Sequence, residues 1–366
     1  RTIMLTTLKS RAISALAFTK TTPTLVSLQS KLSIPQTIAN HRHHIPCQHC
    51  SRSFSTTKTQ LFSSSDADSS SNSVYPPPPS TFSYSTNEWH QRCKLAVSYR
   101  IACMESWDEV IFNHITTKVQ DSEKEKDGPH FLINNFGMGF DEVTASSLVK
   151  VTLSGEQVFP PSSAAKVPKG RVFGAGYVLH SAIHATRHDV DSIWHCHSLD
   201  ATALSQTTFG VLPLSQEAAF ALGKGISYHP FEGTANDASE QPRIISNLGP
   251  TNKILMLEDH GPLVACTSIE EAYATMYFLT RACTYQMKAL SAVGGDLDKI
   301  HMPKEQIVDQ MLNRIDKLGD VPGQDQEDVQ QSVDDEDEEK YDIEKLMFDY
   351  AKRSAERKYG AHDIYR

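Results

Sequence analysis

Three histidines stand where they could share one ion. His195 and His197 are one residue apart in Ser192-Ile193-Trp194-His195-Cys196-His197, a run whose β-branched and aromatic content reads as a strand. Residues two apart on a strand point to one face, so both imidazoles can reach a single ion while Cys196 points into the core. His260 lies in Glu258-Asp259-His260-Gly261-Pro262, between the apolar runs Ile254–Leu257 and Leu263–Cys266, which suits the turn of a hairpin. The end of a sheet would deliver this third imidazole beside the first two. Three nitrogen ligands plus an open position make a catalytic site of the zinc type, in which the ion polarises a carbonyl oxygen and stabilises an enolate. The same histidines also read as hydrogen-bonded core residues, because His-x-His is common. His180 and His184 are four apart on an expected helix, hence on one face. They read either as zinc ligands or as histidines that support others through hydrogen bonds. Glu217 reads as a site carboxylate or as an acid in a helix first turn, where the helix dipole favours it.

The elements that must position these groups follow from periodicity. A helix is expected over Trp89–Cys103, with Leu95, Ala96, Tyr99, Ala102 and Cys103 at helical spacing. Val110–Phe112 and Phe131–Ile133 read as short strands, and Asp141 to Val149 has helix-start chemistry. Further helices are expected over Val178–Arg187 and over Gln216–Leu222, the latter closed by Gly223. Ser268-x-x-Glu271 is a capping box. Behind it Ala272, Met276, Leu279, Cys283, Met287 and Leu290 form an apolar stripe that stops at Gly294-Gly295. Tyr273, Met276 and Tyr277 read as helix core, and Asp189 as a residue that caps or turns the chain into the strand. The whole reads as a strand-rich sheet covered by helices, one domain over residues 87–318.

Charge separates this domain from its flanks. The net charge of −9 over 366 residues hides eight Lys/Arg and no acid in residues 1–65, and fourteen acids against seven bases from Asp325 onward. The basic, Ser/Thr-rich segment 1–65 has the composition of an organelle transit peptide, and Arg52-Ser53-Phe54-Ser55 resembles a mitochondrial processing site. Mitochondrial targeting is the expectation, with plastid or cytoplasm and cytoskeleton as alternatives. Residues 66–86, with Pro76-Pro77-Pro78-Pro79, read as a linker with no reason to pack. Residues 319–342 hold the block Asp334-Asp335-Glu336-Asp337-Glu338-Glu339, which repels itself and stays solvated. Residues 343–366 read as a short helix able to dock back on the domain or to meet a partner. No stretch approaches eighteen consecutive apolar residues, so no transmembrane segment is expected. The acidic middle disfavours nucleic acid. Seven scattered Cys point to a reduced compartment. Cys47-x-x-Cys50, with His41, His43, His44 and His49 nearby, could suggest zinc, but no second CxxC or HxxxH pair stands in a segment expected to be ordered.

The run Phe173-Gly174-Ala175-Gly176-Tyr177-Val178-Leu179-His180-Ser181-Ala182-Ile183-His184-Ala185-Thr186-Arg187, followed by His195-x-His197, resembles the class II aldolase/adducin family. Leu212-Pro213-Leu214-Ser215-Gln216-Glu217-Ala218, Tyr228-His229-Pro230-Phe231-Glu232-Gly233 and Asp259-His260-Gly261 extend the resemblance, which spans roughly Trp89 to Gly294. It implies a three-layer α/β/α fold with a mainly antiparallel central sheet, assembled as a homotetramer. It also implies a divalent metal, usually Zn²⁺, on residues matching His195, His197 and His260. The acid that serves the family's enzymes as general base falls at Gly176, which cannot take a proton. Asn113-His114 stands where those enzymes have Gly-Asn, and Phe136 where they have Thr. Two expectations follow: a metal-dependent aldolase or decarboxylase-like lyase acting on a small carbonyl substrate, with Glu217 or His184 supplying the base, or an adducin-like scaffold that binds actin and the cytoskeleton.

Overall fold

The computed structural model describes residues 75–80, 82–119, 128–159, 169–234, 237–312 and 342–366. The expected leader, Cys47 and Cys50, the first part of the linker and the acidic block lie outside the described residues.

An eight-stranded sheet carries the molecule. In chain order its strands are β1 (His114–Lys118), β2 (Phe131–Ile133), β3 (Val149–Val151), β4 (Gln157–Val158), β5 (Ser192–His195), β6 (Ile226–His229), β7 (Ile254–Leu257) and β8 (Gly261–Cys266). Their spatial order is β4-β3-β2-β1-β5-β8-β7-β6. Every neighbouring pair is antiparallel except β6 with β7.

Period-2 alternation splits the apolar side chains between the two faces. Trp194, Ile254, Met256, Val264 and Cys266 enter one core, which holds α1 (Thr86–Met104), α3 (Leu199–Ser205), α4 (Gln216–Gly223), α6 (Ile269–Ala292) and α8 (Ile343–Tyr359), while α7 (Glu305–Met311) packs on α4. Ile193, Leu255, Leu257, Leu263 and Ala265 enter a second core, beneath α2 (Gly174–Thr186) and α5 (Gln241–Leu248). The fold is thus three-layered, α/β/α, around a mainly antiparallel sheet. Because β1, β5, β7 and β8 are covered on both faces, they read as continuous apolar runs or mixed polar segments rather than as clean alternation.

Local chemistry explains the helix ends. The Ser268 hydroxyl accepts from Glu271 N at 3.0 Å, as a capping box requires. Ser215 caps α4 and Ser85 caps α1 in the same way. Among the described residues no helix is long and apolar enough to cross a membrane.

Two sequence expectations are corrected. Val110–Phe112 is not a strand: Val110 has φ +53 and is 71% exposed, and the strand starts at His114. Asp141 to Val149 is a series of turns, and Val149 already belongs to β3. There Thr144 and Ser147 satisfy each other's backbone N–H groups, the local competition that draws such residues out of helices.

The chain beyond Asp342 packs onto the domain. On α8, Phe348 is buried against Tyr273, and Glu344 pairs with Lys224 at 2.6 Å. In α9 (Ala361–Tyr365), Ile364 O accepts from Ala145 N at 3.0 Å. The end of the stretch read as a linker packs too. Tyr75 is buried edge-on against Tyr365, and Pro76 O accepts from Trp89 Nε1 at 2.6 Å.

Candidate metal centre

Strand β5 ends at His195, and the chain then turns toward α3 with His197 just outside the strand. His197 keeps its place because its N–H donates to Trp107 O at 2.8 Å. His260 sits in the β7–β8 turn, whose preceding residue, Asp259, has φ +58. The next residue must be glycine on two counts. Gly261 has φ +148, and a Cβ there would lie 3.2 Å from His197 Cδ2.

The three imidazoles converge through one kind of atom. His195 Nε2 is 3.3 Å from His260 Nε2 and 3.1 Å from His197 Nε2. The far nitrogens of two rings are held from behind: His195 Nδ1 donates to Pro262 O at 3.1 Å, and His197 Nδ1 donates to the Glu109 carboxylate. A Zn–N bond of about 2.0–2.1 Å in tetrahedral geometry separates ligand nitrogens by about 3.3 Å. The residues present therefore fit a divalent ion, and they are the group of metal-ligating side chains found together among the described residues. Burial and the neighbouring imidazoles push His260 down to about 4 and His195 well below the ordinary range, so both offer lone pairs at neutral pH.

His114 is the Cα partner of His195 across β1 and β5, with ring centroids 5.1 Å apart. Its Nδ1 is 3.4 Å from Phe112 O, and its buried Nε2 has no partner. The same ring explains Gly176. A Cβ at position 176 would lie 2.7 Å from His114 Cγ and Cδ2, so the imidazole fills the space a side chain there would need.

His180 and His184 do not face the three-histidine centre as further ligands. They lie side by side under β1, where Thr116 Oγ1 is 2.8 Å from His180 Nδ1 and 2.8 Å from His184 Nε2. Both rings thus hydrogen-bond to Thr116, and not to each other or to a histidine of the centre. Glu217 occupies the first turn of α4, which packs on α6, and forms no hydrogen bond or ion pair with the three histidines. Beside His114, Phe112, Phe136 and Phe173 gather into a cluster of rings.

Glu109 and Thr116 escaped the sequence reading, and His114 entered it only as a departure from the family's pattern. Glu109 lies 88 residues from His197, and nothing in local spacing announces that contact. His114 and Thr116 sit on a strand that was displaced to Val110–Phe112.

A three-layer fold around a mainly antiparallel sheet, with three histidines converging at the end of β5 and in the β7–β8 turn, defines a class of domain. Residues 93–287 match the model of the class II aldolase and adducin N-terminal domain, and the chain belongs to this family. A Pseudomonas aeruginosa protein named for the class 2 aldolases is 40% identical over 219 residues, covering 60% of this chain and 78% of that protein. Rat alpha-adducin is 42% identical over 215 residues, covering 59% of this chain. The match spans 28% of that adducin's length. The crystal structure of an aldolase II superfamily protein from Pseudomonas syringae superposes with TM-score 0.60 at 33% identity, covering 76% of this chain and 97% of that one.

Proposed function

We propose that the chain is a metal-dependent carbon–carbon lyase, an aldolase or decarboxylase-like enzyme, that holds a divalent ion, Zn²⁺, on His195, His197 and His260 and acts on a small carbonyl substrate. The convergence of three Nε2 atoms, two of them with the opposite nitrogen engaged, carries this reading. When bound, the ion supplies a Lewis acid for a carbonyl oxygen and for the negative charge of a carbon–carbon cleavage. The chain's own residues do the rest. Pro262 O and Glu109 fix the tautomers that leave Nε2 free. The buried strands β5 and β8, paired with His195 opposite Leu263, hold the rings in register, so the ligand set is formed before substrate arrives. With Gly176 in the usual acid position, the base is assigned to His184 or Glu217. His184 has the better connection: Thr116 links it to His180, whose ring lies 4.4 Å from His114. A homotetramer is the assembly expected.

The test is the metal content of the purified full chain beside His195→Ala. A stoichiometric divalent metal in the wild type and its loss in the variant are expected; a wild type without stoichiometric metal overturns the reading.

A second reading, an adducin-like scaffold that binds actin filaments, is favoured by the 42% identity to alpha-adducin and by Gly176. Co-sedimentation of the chain with filamentous actin tests it, and absence of pelleting removes it.

A further inference from the structure

We propose that the substrate of this site is an aryl carbonyl compound, its ring seated on a wall of Phe112, Phe136 and Phe173, rather than a phosphorylated or polyhydroxylated one. The proposal rests on the metal reading above and adds the part of the ligand that does not react.

The wall is continuous with the ligand set. Phe136 and Phe173 stack with centroids 4.8 Å apart at 16°, and Phe112 lies 6.1 Å from Phe173 and 6.4 Å from Phe136. Phe173 stands 6.2 Å from the His114 ring, edge to face, and His114 stands 5.1 Å from the ligand His195. A column of rings thus runs from solvent, where Phe112 is 49% exposed, to the metal centre. Aromatic faces reward another aromatic group in offset or edge-on contact. They offer nothing to a phosphate dianion, which loses hydration beside them without gaining a partner.

His114 adds polar selectivity. Its Nδ1 faces the Phe112 carbonyl, which can only accept, so the proton is on Nδ1 and Nε2 is a bare lone pair. That atom is buried and unpartnered, a state that costs free energy until a donor arrives. A hydroxyl or N–H beside the aryl group of the ligand meets this need.

Two hydroxamates separate the wall from the ion, since acetohydroxamate and benzohydroxamate chelate alike and differ in methyl against phenyl. Calorimetric titration of the zinc-loaded full chain is expected to give about tenfold tighter binding of benzohydroxamate. In Phe112→Ala and in Phe136→Thr the preference is expected to fall to about threefold or less, with acetohydroxamate binding and thermal midpoint unchanged. Equal binding of the two compounds by the wild type overturns the proposal, as does a preference that survives both substitutions. Tighter binding of phosphonoacetohydroxamate than of benzohydroxamate overturns it as well. A drop in native mass with Phe112→Ala means that a second copy of the chain covers these rings, and it too overturns the proposal. Failure of acetohydroxamate itself to bind removes the ion, and with it the metal reading.

Discussion

Glu109 and His197 show how much depends on one hydrogen bond. The carboxylate fixes the proton on Nδ1, turns the ring so that Nε2 faces the other two, and raises the basicity of that nitrogen. Glu109→Gln keeps the shape but removes the charge. We expect zinc affinity, measured by competition with a chromogenic chelator, to fall about tenfold or more. An unchanged affinity would place Glu109 outside the centre. His195 is oriented by the Pro262 carbonyl, which no side-chain substitution deletes. The sensitivity of the site to outer-layer mutation should therefore concentrate at Glu109.

Among the elements, α2 is tightly constrained by its neighbour across the sheet face. Its first turn approaches β1 so closely that position 176 has no room for a Cβ while His114 keeps its rotamer. Gly176→Ala ordinarily favours a helix by roughly 1 kcal/mol. Here the clash should reverse the sign and destabilise by about 1–3 kcal/mol in urea unfolding. Adding His114→Ala should restore the favourable sign. Additive effects in the double variant would refute the packing account, since coupling is expected only between groups in contact.

This contact also explains what could be read from the sequence. The three-histidine centre was legible because His195 and His197 sit two apart at a strand end and His260 sits in a turn between two apolar runs. Helix α6 was legible because its capping box and its glycine stop are both local. The start of α2 was not: Gly174 and Gly176 look like breakers, and for Gly176 the reason is the imidazole opposite. β1 was missed because His114-Ile115-Thr116-Thr117-Lys118 carries polar residues on a doubly covered strand, all of them buried. Val110 and Phe112, apolar enough for a strand, instead stand exposed near the site.

On the scale of the whole molecule, a row of buried imidazoles sets how the fold responds to acid. Burial pushes His114 and His184 down to about 3 and His180 well below its ordinary value. The unfolded chain takes up protons at these rings below about pH 6.5, and the folded chain does so only near 3. Stability is therefore full above about pH 6.5 and falls as the pH drops from there toward 3, by roughly 1.4 kcal/mol per pH unit for each ring at most. Urea midpoints at pH 7.5 and pH 5 should differ in this direction, and His184→Gln should flatten the slope; an unaltered slope contradicts the linkage. The docked α8 makes a separate prediction. Phe348→Ala removes a fully buried ring and should cost about 3–5 kcal/mol. New protease cleavage within Ile343–Tyr359 should accompany it; a variant that unfolds and is cut like the wild type would mean that α8 contributes little.

The seat of α8 also bears on how the protein is made. Its inner face closes over α1 and α6, so Phe348 is packed beside Tyr273, and the Tyr359 ring lies 5.2 Å under the Arg100 guanidinium. A ribosome delivers α1 early and α8 late, with the whole sheet synthesised between them. During that interval the apolar side of α1 has no cover, and the last contacts close a very long loop. A nascent chain paused before Asp342 should therefore present an uncovered apolar surface on α1, and the domain should reach its native packing only once α8 has emerged from the ribosome.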